Sequence, residues 1–274
     1  MKRIVLYVIL SAVLAGIGWF GMKASREAAA YEQVTVALVT QMEPKALAAY
    51  KAKEWAEKLS FGLYTNTKRK ALSAEREKQK RHHEAGVRYT YDAMGLLLIV
   101  LLAYFVLSLR EFTFFGALAA GEMLYFGLTA PIMMVTIHKE VAYLGDVVLS
   151  FESKSVVGSI AKLFENGDTV VALTILLFSV LIPAVKTFAI LFVSLFMQNR
   201  FAHGVVKFFK MIGKWSMVDV FVVATFLVYL TVNKGDVSRA EVEVGLYFFL
   251  AYVIVSMLVS LSADKMLHRH KNRQ

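Results

Sequence analysis

The sequence predicts a mostly α-helical membrane protein of about six transmembrane helices, with both ends in the cytoplasm and a small extracytoplasmic region of helices and a short β-sheet. Three observations carry that prediction. The 274-residue chain is 58% hydrophobic with a mean hydropathy of +0.56, more apolar content than one soluble core needs. Nearly uncharged stretches of about twenty residues, the length that crosses hydrocarbon, alternate with segments dense in both signs. Lys and Arg crowd the short loops that this alternation places in the cytoplasm.

The net charge of +10 raises a nucleic-acid reading, because clustered Lys and Arg release counterions from phosphates. Here the basic residues flank apolar spans, where they set orientation and meet anionic headgroups, so no nucleic-acid partner is expected. The chain has no cysteine, which excludes disulfides, thiolate zinc sites, iron–sulfur clusters and cysteine nucleophiles.

Along the chain, Met1-Lys2-Arg3 precedes an apolar run from Ile4 to Met22. This is a secretory signal or an uncleaved anchor; Lys23 and Arg26 separate the run from Ala28-Ala29-Ala30, which favours an anchor over residues 1–22. Residues 23–92 form a charged extracytoplasmic segment without a window apolar enough to span. Within it Val34 to Thr40 reads as a strand, Pro44 as a break, and Lys45–Leu59 and Lys68–Gly86 as charged helices lying near the bilayer surface. An additional span follows from Ala93 to Leu109, within a unit over 93–111. After the charged hinge Arg110-Glu111 comes an antiparallel neighbour from Phe112 to Thr136.

Strand-like Val141-Ala142-Tyr143 and Val147-Val148-Leu149 surround Gly145-Asp146, and the strand near Val34 is expected to pair with them. An amphipathic helix over Ser155–Phe164 carries Val156, Val157, Ile160, Leu163 and Phe164 on one face. Spans over Thr169–Met197, Val218–Val232 and Tyr247–Ser262 complete a four-helix unit over 112–264, and a basic tail occupies 265–274. Arg200, Lys207, Lys210 and Lys214 in one loop, the tail and Met1-Lys2-Arg3 all belong inside, and six spans satisfy the three together.

A charge in hydrocarbon costs at least about 2.5–3.5 kcal/mol, so each one needs a partner, a cavity or a task. Glu122, Lys186 and Asp219 stand out within the spans. The Lys186 and Asp219 helices are consecutive and antiparallel, so the flexible lysine stem reaches toward the carboxylate, with Ser179, Thr187 and Ser216 extending a polar network. Two readings remain open: charges that hold the bundle together, or a proton or ligand relay. Pro131 and Pro183 fall within spans and bend their helices. His82-His83 and His268-Arg-His270 lack further ligands for a metal, and no nucleophile or nucleotide motif occurs, so neither an enzyme nor a cofactor is expected.

The stretch Gly213-Lys-Trp215-Ser216-Met217-Val-Asp219-Val-Phe221 resembles the signature of the paraquat-inducible protein A family, in which a Trp-Ser-Met-x-Asp/Glu-Val-Phe sequence opens a membrane helix. Pro183-Ala-Val-Lys186 resembles the family's Pro-x-x-Lys/Glu element, Ala130-Pro131-Ile-Met133 its Leu-Pro-Ile-Met, and Ser159 to Gly167 its amphipathic helix. The resemblance covers roughly Phe112 to Ser262. It implies a bacterial inner-membrane protein working beside MCE-domain proteins that move lipid across the periplasm, with Lys186 and Asp219 in a family polar network. Zinc-ribbon cysteines and a second membrane module, frequent in the family, are missing, so zinc does not carry over.

The expected function is thus an inner-membrane component of an envelope lipid-transport system, with membrane lipids and a periplasmic MCE-type protein as partners. The alternatives are a proton-coupled small-solute transporter, and a non-transporting scaffold that binds a partner through residues 23–92.

Overall fold

The computed structural model describes residues 2–41, 67–141, 145–195 and 238–271. Five helices among them are long and apolar enough to cross a membrane. The Val218–Val232 span, the Lys45–Leu59 helix and the motif from Trp215 to Phe221 lie outside the described residues.

Helix α1, Lys2–Gln41, has 40 residues, a length of about 60 Å and about twice the hydrocarbon thickness. The sequence placed a strand at Val34–Thr40; the structure makes those residues the last turns of α1. The cause is a seam. Leu10, Leu14, Ile17, Gly21, Ala24, Ala28, Tyr31, Thr35 and Leu38 are all buried, and they recur in alternating steps of four and three residues. That spacing is the heptad of a coiled coil, which keeps one stripe facing a partner helix. It outweighs the β-branched content of the last turns, where Thr35 and Thr40 return their hydroxyls to the carbonyls of Tyr31 and Val36 at 2.7 and 2.9 Å.

The partner is α2, Thr67–Leu102. It joins the charged helix and the additional span of the sequence reading into one rod, and Gly86, Thr90, Ala93, Leu97 and Val100 carry the same spacing on its buried side. The two rods run antiparallel. Leu96 lies over Gly16 and the Tyr89 ring is stacked 6.2 Å from Phe20. Further along, His82 meets Glu27 at 2.7 Å, His83 faces Tyr31 at 5.0 Å, and Gln79 donates to Thr35 at 2.8 Å. At about 60 Å and 54 Å, both helices outrun a hydrocarbon core of about 30 Å, and their charged ends, a stalk, exceed the length that a crossing needs.

A short 3-10 turn, Ala103–Phe105, leads to α3, Leu109–Thr129. Arg110 and Glu111 lie in the first turn of this helix. Ser108 and Glu111 form a reciprocal capping box that starts it, with the Glu111 carboxylate accepting from the Ser108 N–H at 2.8 Å. Helix α3 stops at Thr129, short of the expected Thr136, because Pro131 forces the preceding Ala130 into extended backbone. Pro131 therefore ends the helix and does not bend it.

Beyond it, β1 (Met133–Val141) and β2 (Gly145–Lys154) pair antiparallel, and β3 (Ser238–Val242) pairs with the other edge of β1, giving the order β2-β1-β3. The strand expected near Val34 has no place in this sheet. Its position is taken by β3, from a stretch that reads as a mixed-charge loop. The Pro131 and Ile132 carbonyls accept from Gly245 and Glu243 N–H at 2.7 and 2.9 Å, tying the exit of α3 to the start of the last helix.

Helix α4, Val156–Glu165, is capped by Ser155, whose hydroxyl accepts from Gly158 N–H at 3.0 Å. It closes in a Schellman turn, with Gly167 at φ 86 and the Asp168 N–H on the Leu163 carbonyl at 2.9 Å. Helix α5, Thr169–Leu195, follows, with a π-helical turn at Leu176–Leu181. The last helix, α6, Val244–Lys271, extends the expected Tyr247–Ser262 span at both ends.

Helix α3 is the hub, packed on α6, α5 and α1. A Cβ on Gly127 would lie 2.8 Å from the Phe249 backbone, so α3 and α6 touch main chain to main chain there.

Candidate functional site

The backbone of α5 supplies the starting point. Pro183 has no N–H to give the Ser179 carbonyl one turn earlier, and the helix accommodates this with the π turn, where Ile182 N–H bonds five residues back to Leu177. This bend has identifiable causes, a proline and a π turn. The half-buried Ser179 lies in that turn.

One turn on, the polar groups converge. The Pro183 carbonyl accepts from the Thr187 hydroxyl at 2.9 Å and from the Tyr252 phenol of α6 at 3.1 Å, and the two hydroxyls lie 3.4 Å apart. Tyr252 is fully buried. Thr187 packs beside Gly121 of α3, where a Cβ would stand 3.8 Å from its methyl. Lys186, only 8% exposed, belongs to the same turn. The structure thus joins α5 and α6 through one polar knot at Pro183, Thr187 and Tyr252, with α3 packed against its apolar side at Gly121. Tyr252 was not singled out by the sequence reading. Its signal is a phenol well inside an apolar span, whose hydroxyl has no water to turn to and must find a protein partner.

Glu122 is not part of the knot. It sits next to Gly121 on α3 but faces α1, where a Cβ on Gly18 would lie 3.9 Å from its Oε1. Its Oε2 is buried without a hydrogen-bond partner among the described residues. Pro131 lies at the sheet end, away from the knot in the chain's path. Trp215, Ser216, Met217, Asp219 and Phe221 lie outside the described residues, and so does the expected Lys186–Asp219 pair.

At the end of the bundle far from the sheet, Arg110 of α3 reaches α5, and its guanidinium donates to the Ser194 and Leu195 carbonyls at 2.7 and 2.8 Å. Beside it, Glu111 accepts from the Tyr7 phenol of α1 and lies 3.9 Å from Arg3. These groups border a cavity of about 250 Å³ lined also by Phe114 and Phe115. Among the described residues, no group of three or more His, Cys, Asp or Glu is placed to hold a metal.

The family model described as paraquat-inducible protein A matches residues 117–270, more than half of the chain. Among curated proteins, the chain is 24% identical over 119 residues to a probable intermembrane transport protein of Haemophilus influenzae, covering 41% of this chain and 28% of that one. It is 25% identical over 153 residues to the intermembrane transport protein PqiA of Escherichia coli K12, covering 54% of this chain and 34% of that one. The chain thus spans about a third of the length of the curated relatives it matches. No solved structure matches it. The matched residues hold α3, α5, α6 and the polar knot between α5 and α6, and the chain belongs to the paraquat-inducible protein A family.

Proposed function

We propose that this protein is an inner-membrane component of an envelope lipid-transport system, loading or releasing lipid together with a periplasmic MCE-type partner. The observation that carries this reading is the amphiphilic build of α5. One side buries Pro183, Lys186 and Thr187, the first and last of them in the polar knot with Tyr252, while Leu181, Val185, Phe188 and Phe192 form an exposed apolar stripe on the other. An amphiphilic cargo needs both surfaces, polar contacts for a headgroup and apolar contacts for tails. The relatives, named as intermembrane transport proteins, support a cargo that leaves the membrane. Basic clusters at Met1-Lys2-Arg3 and the tail support an orientation with the sheet and stalk on the outer side, where a periplasmic partner would meet them.

The test is twofold. Protein extracted in native nanodiscs is expected to hold a lipid set distinct from the surrounding bilayer by mass spectrometry. A deletion strain is expected to show a lipid-trafficking defect. Bulk lipid alone and normal trafficking would remove the reading.

Glu122 favours a second reading, a proton-coupled solute transporter, because a buried carboxyl oxygen without a hydrogen-bond partner among the described residues is a place to take up a proton. Proteoliposomes under a pH gradient would then show coupled flux that Glu122→Gln abolishes; equal flux in the variant rejects it.

A further inference from the structure

A second cavity lies at the sheet end, where the α1–α2 hairpin meets β3 and the start of α6. It measures about 470 Å³ and is lined by Tyr31, Gln79, Lys80, His83, Val242 and Tyr247. Four of these six residues, those of α1 and α2, fall outside the 117–270 stretch that the family model matches.

Its depth follows from the packing beneath it. A Cβ on Gly86 would stand 3.6 Å from the Val244 side chain and 3.8 Å from the Ala24 carbonyl, so α1, α2 and α6 share one level there. That level is the edge of the hydrocarbon. The apolar run of α1 ends at Lys23, whose ammonium stands 5.5 Å from the Trp19 ring centre and 5.8 Å from that of Tyr89. Aromatic rings with a lysine mark such an interface. Tyr31 is two helical turns farther out, about 10 Å, which places the cavity wall in or just beyond the headgroup layer. Tyr247 is one turn deeper on α6, but side chains incline toward a helix N-terminus, and so it reaches outward.

The lining chemistry selects the occupant. Lys80, His83, Gln79 and the phenols of Tyr31 and Tyr247 bring donors, and the lining residues include one cation and no carboxylate. Lys80 does lie 3.7 Å from Glu84, but both are exposed and such an i,i+4 pair is weak enough to yield to a stronger anion. Gln79 already donates to Thr35, which fixes its amide at the cavity wall. A phosphate, an acceptor with negative charge, matches this set. The volume is of small-ligand size, too small for acyl chains as well, while the hydrocarbon begins at the level of the cavity floor.

We propose that this cavity holds the phosphate-bearing headgroup of a phospholipid whose tails remain in the adjacent leaflet. The assignment deepens the lipid-transport reading and rests on it for the cargo's onward path. The headgroup would be held between the hairpin and the family core.

The experiment uses the full chain, purified in detergent, delipidated and offered phosphatidylglycerol, phosphatidylethanolamine or diacylglycerol, with retained lipid read by native mass spectrometry. Wild type is expected to retain both phospholipids over diacylglycerol. Lys80→Gln and Tyr247→Phe are expected to lower retention about threefold each and about tenfold together, with unchanged circular dichroism. Equal retention of diacylglycerol, or full retention in the double variant, overturns the assignment. Displacement of the lipid by inorganic phosphate at about ten micromolar, an affinity that a headgroup site lacking the tails would not give, assigns the cavity to free phosphate and also overturns it. The two proposals fail separately. A double variant that loses phospholipid beside a deletion strain with normal lipid traffic keeps the cavity and removes transport. A defective deletion strain fully restored by a double variant with full retention does the reverse.

Discussion

The Pro183 carbonyl shows how a single main-chain atom organises the site. With no water in hydrocarbon, buried hydroxyls must find protein partners, and this carbonyl serves two of them, Thr187 from its own helix and Tyr252 from another. Tyr252→Phe should therefore lower stability by about 0.5–1.5 kcal/mol, seen as a reduced Tm in detergent, while keeping the ring's packing. Arg110→Ala removes both guanidinium bonds to the Ser194 and Leu195 carbonyls and should cost more, about 1.5–3 kcal/mol, since the donor is charged. Gly127→Val sets a side chain against the backbone of Phe249, which cannot move aside as a flexible side chain can. A loss of about 1–3 kcal/mol is expected, with reduced yield of folded protein. At this scale the sequence showed Lys186, Thr187 and Pro183, because polar residues and prolines stand out in apolar spans. Tyr252 stayed hidden because an aromatic ring counts as apolar until its hydroxyl partner is known.

Among the elements, hydropathy located the spans of α3, α5 and α6, and the amphipathic spacing of Val156, Val157, Ile160, Leu163 and Phe164 located α4. The α1–α2 rods were not, for a physical reason. Their seam beyond the membrane is built from Ala24, Ala28, Tyr31 and Thr35, small or polar residues that no hydropathy pattern singles out, and charge on the outer faces masks the period. The third strand was hidden likewise, since the short alternation Arg239-Ala240-Glu241-Val242 sits in a mixed-charge stretch between spans and becomes a strand through pairing with β1. A direct check of the hairpin is available because the chain has no cysteine of its own. A Cβ on Gly86 would stand 3.6 Å from that of Glu27, close to the spacing of a disulfide. Glu27→Cys with Gly86→Cys should therefore form a disulfide on mild oxidation, read as a mobility shift that reductant reverses. Absence of the bond would argue against a continuous α1 through residue 27.

For the whole molecule, a family core and a long hairpin are joined at α3, with Gly21 of α1 pressed against Phe126. Basic residues orient the assembly with the sheet outward, so Ser153→Cys should react with a membrane-impermeant thiol reagent in cells whose outer membrane is permeabilised. Protection of that cysteine until the inner membrane is lysed would invert the orientation. Transport of lipid between membranes is the central claim. Its most direct measurement is the rate at which labelled phospholipid passes between inner and outer membranes in a deletion strain, complemented by wild type or by Lys186→Met. The account predicts slowed exchange on deletion, restored by wild type and not by Lys186→Met; an exchange rate unchanged by deletion would contradict it.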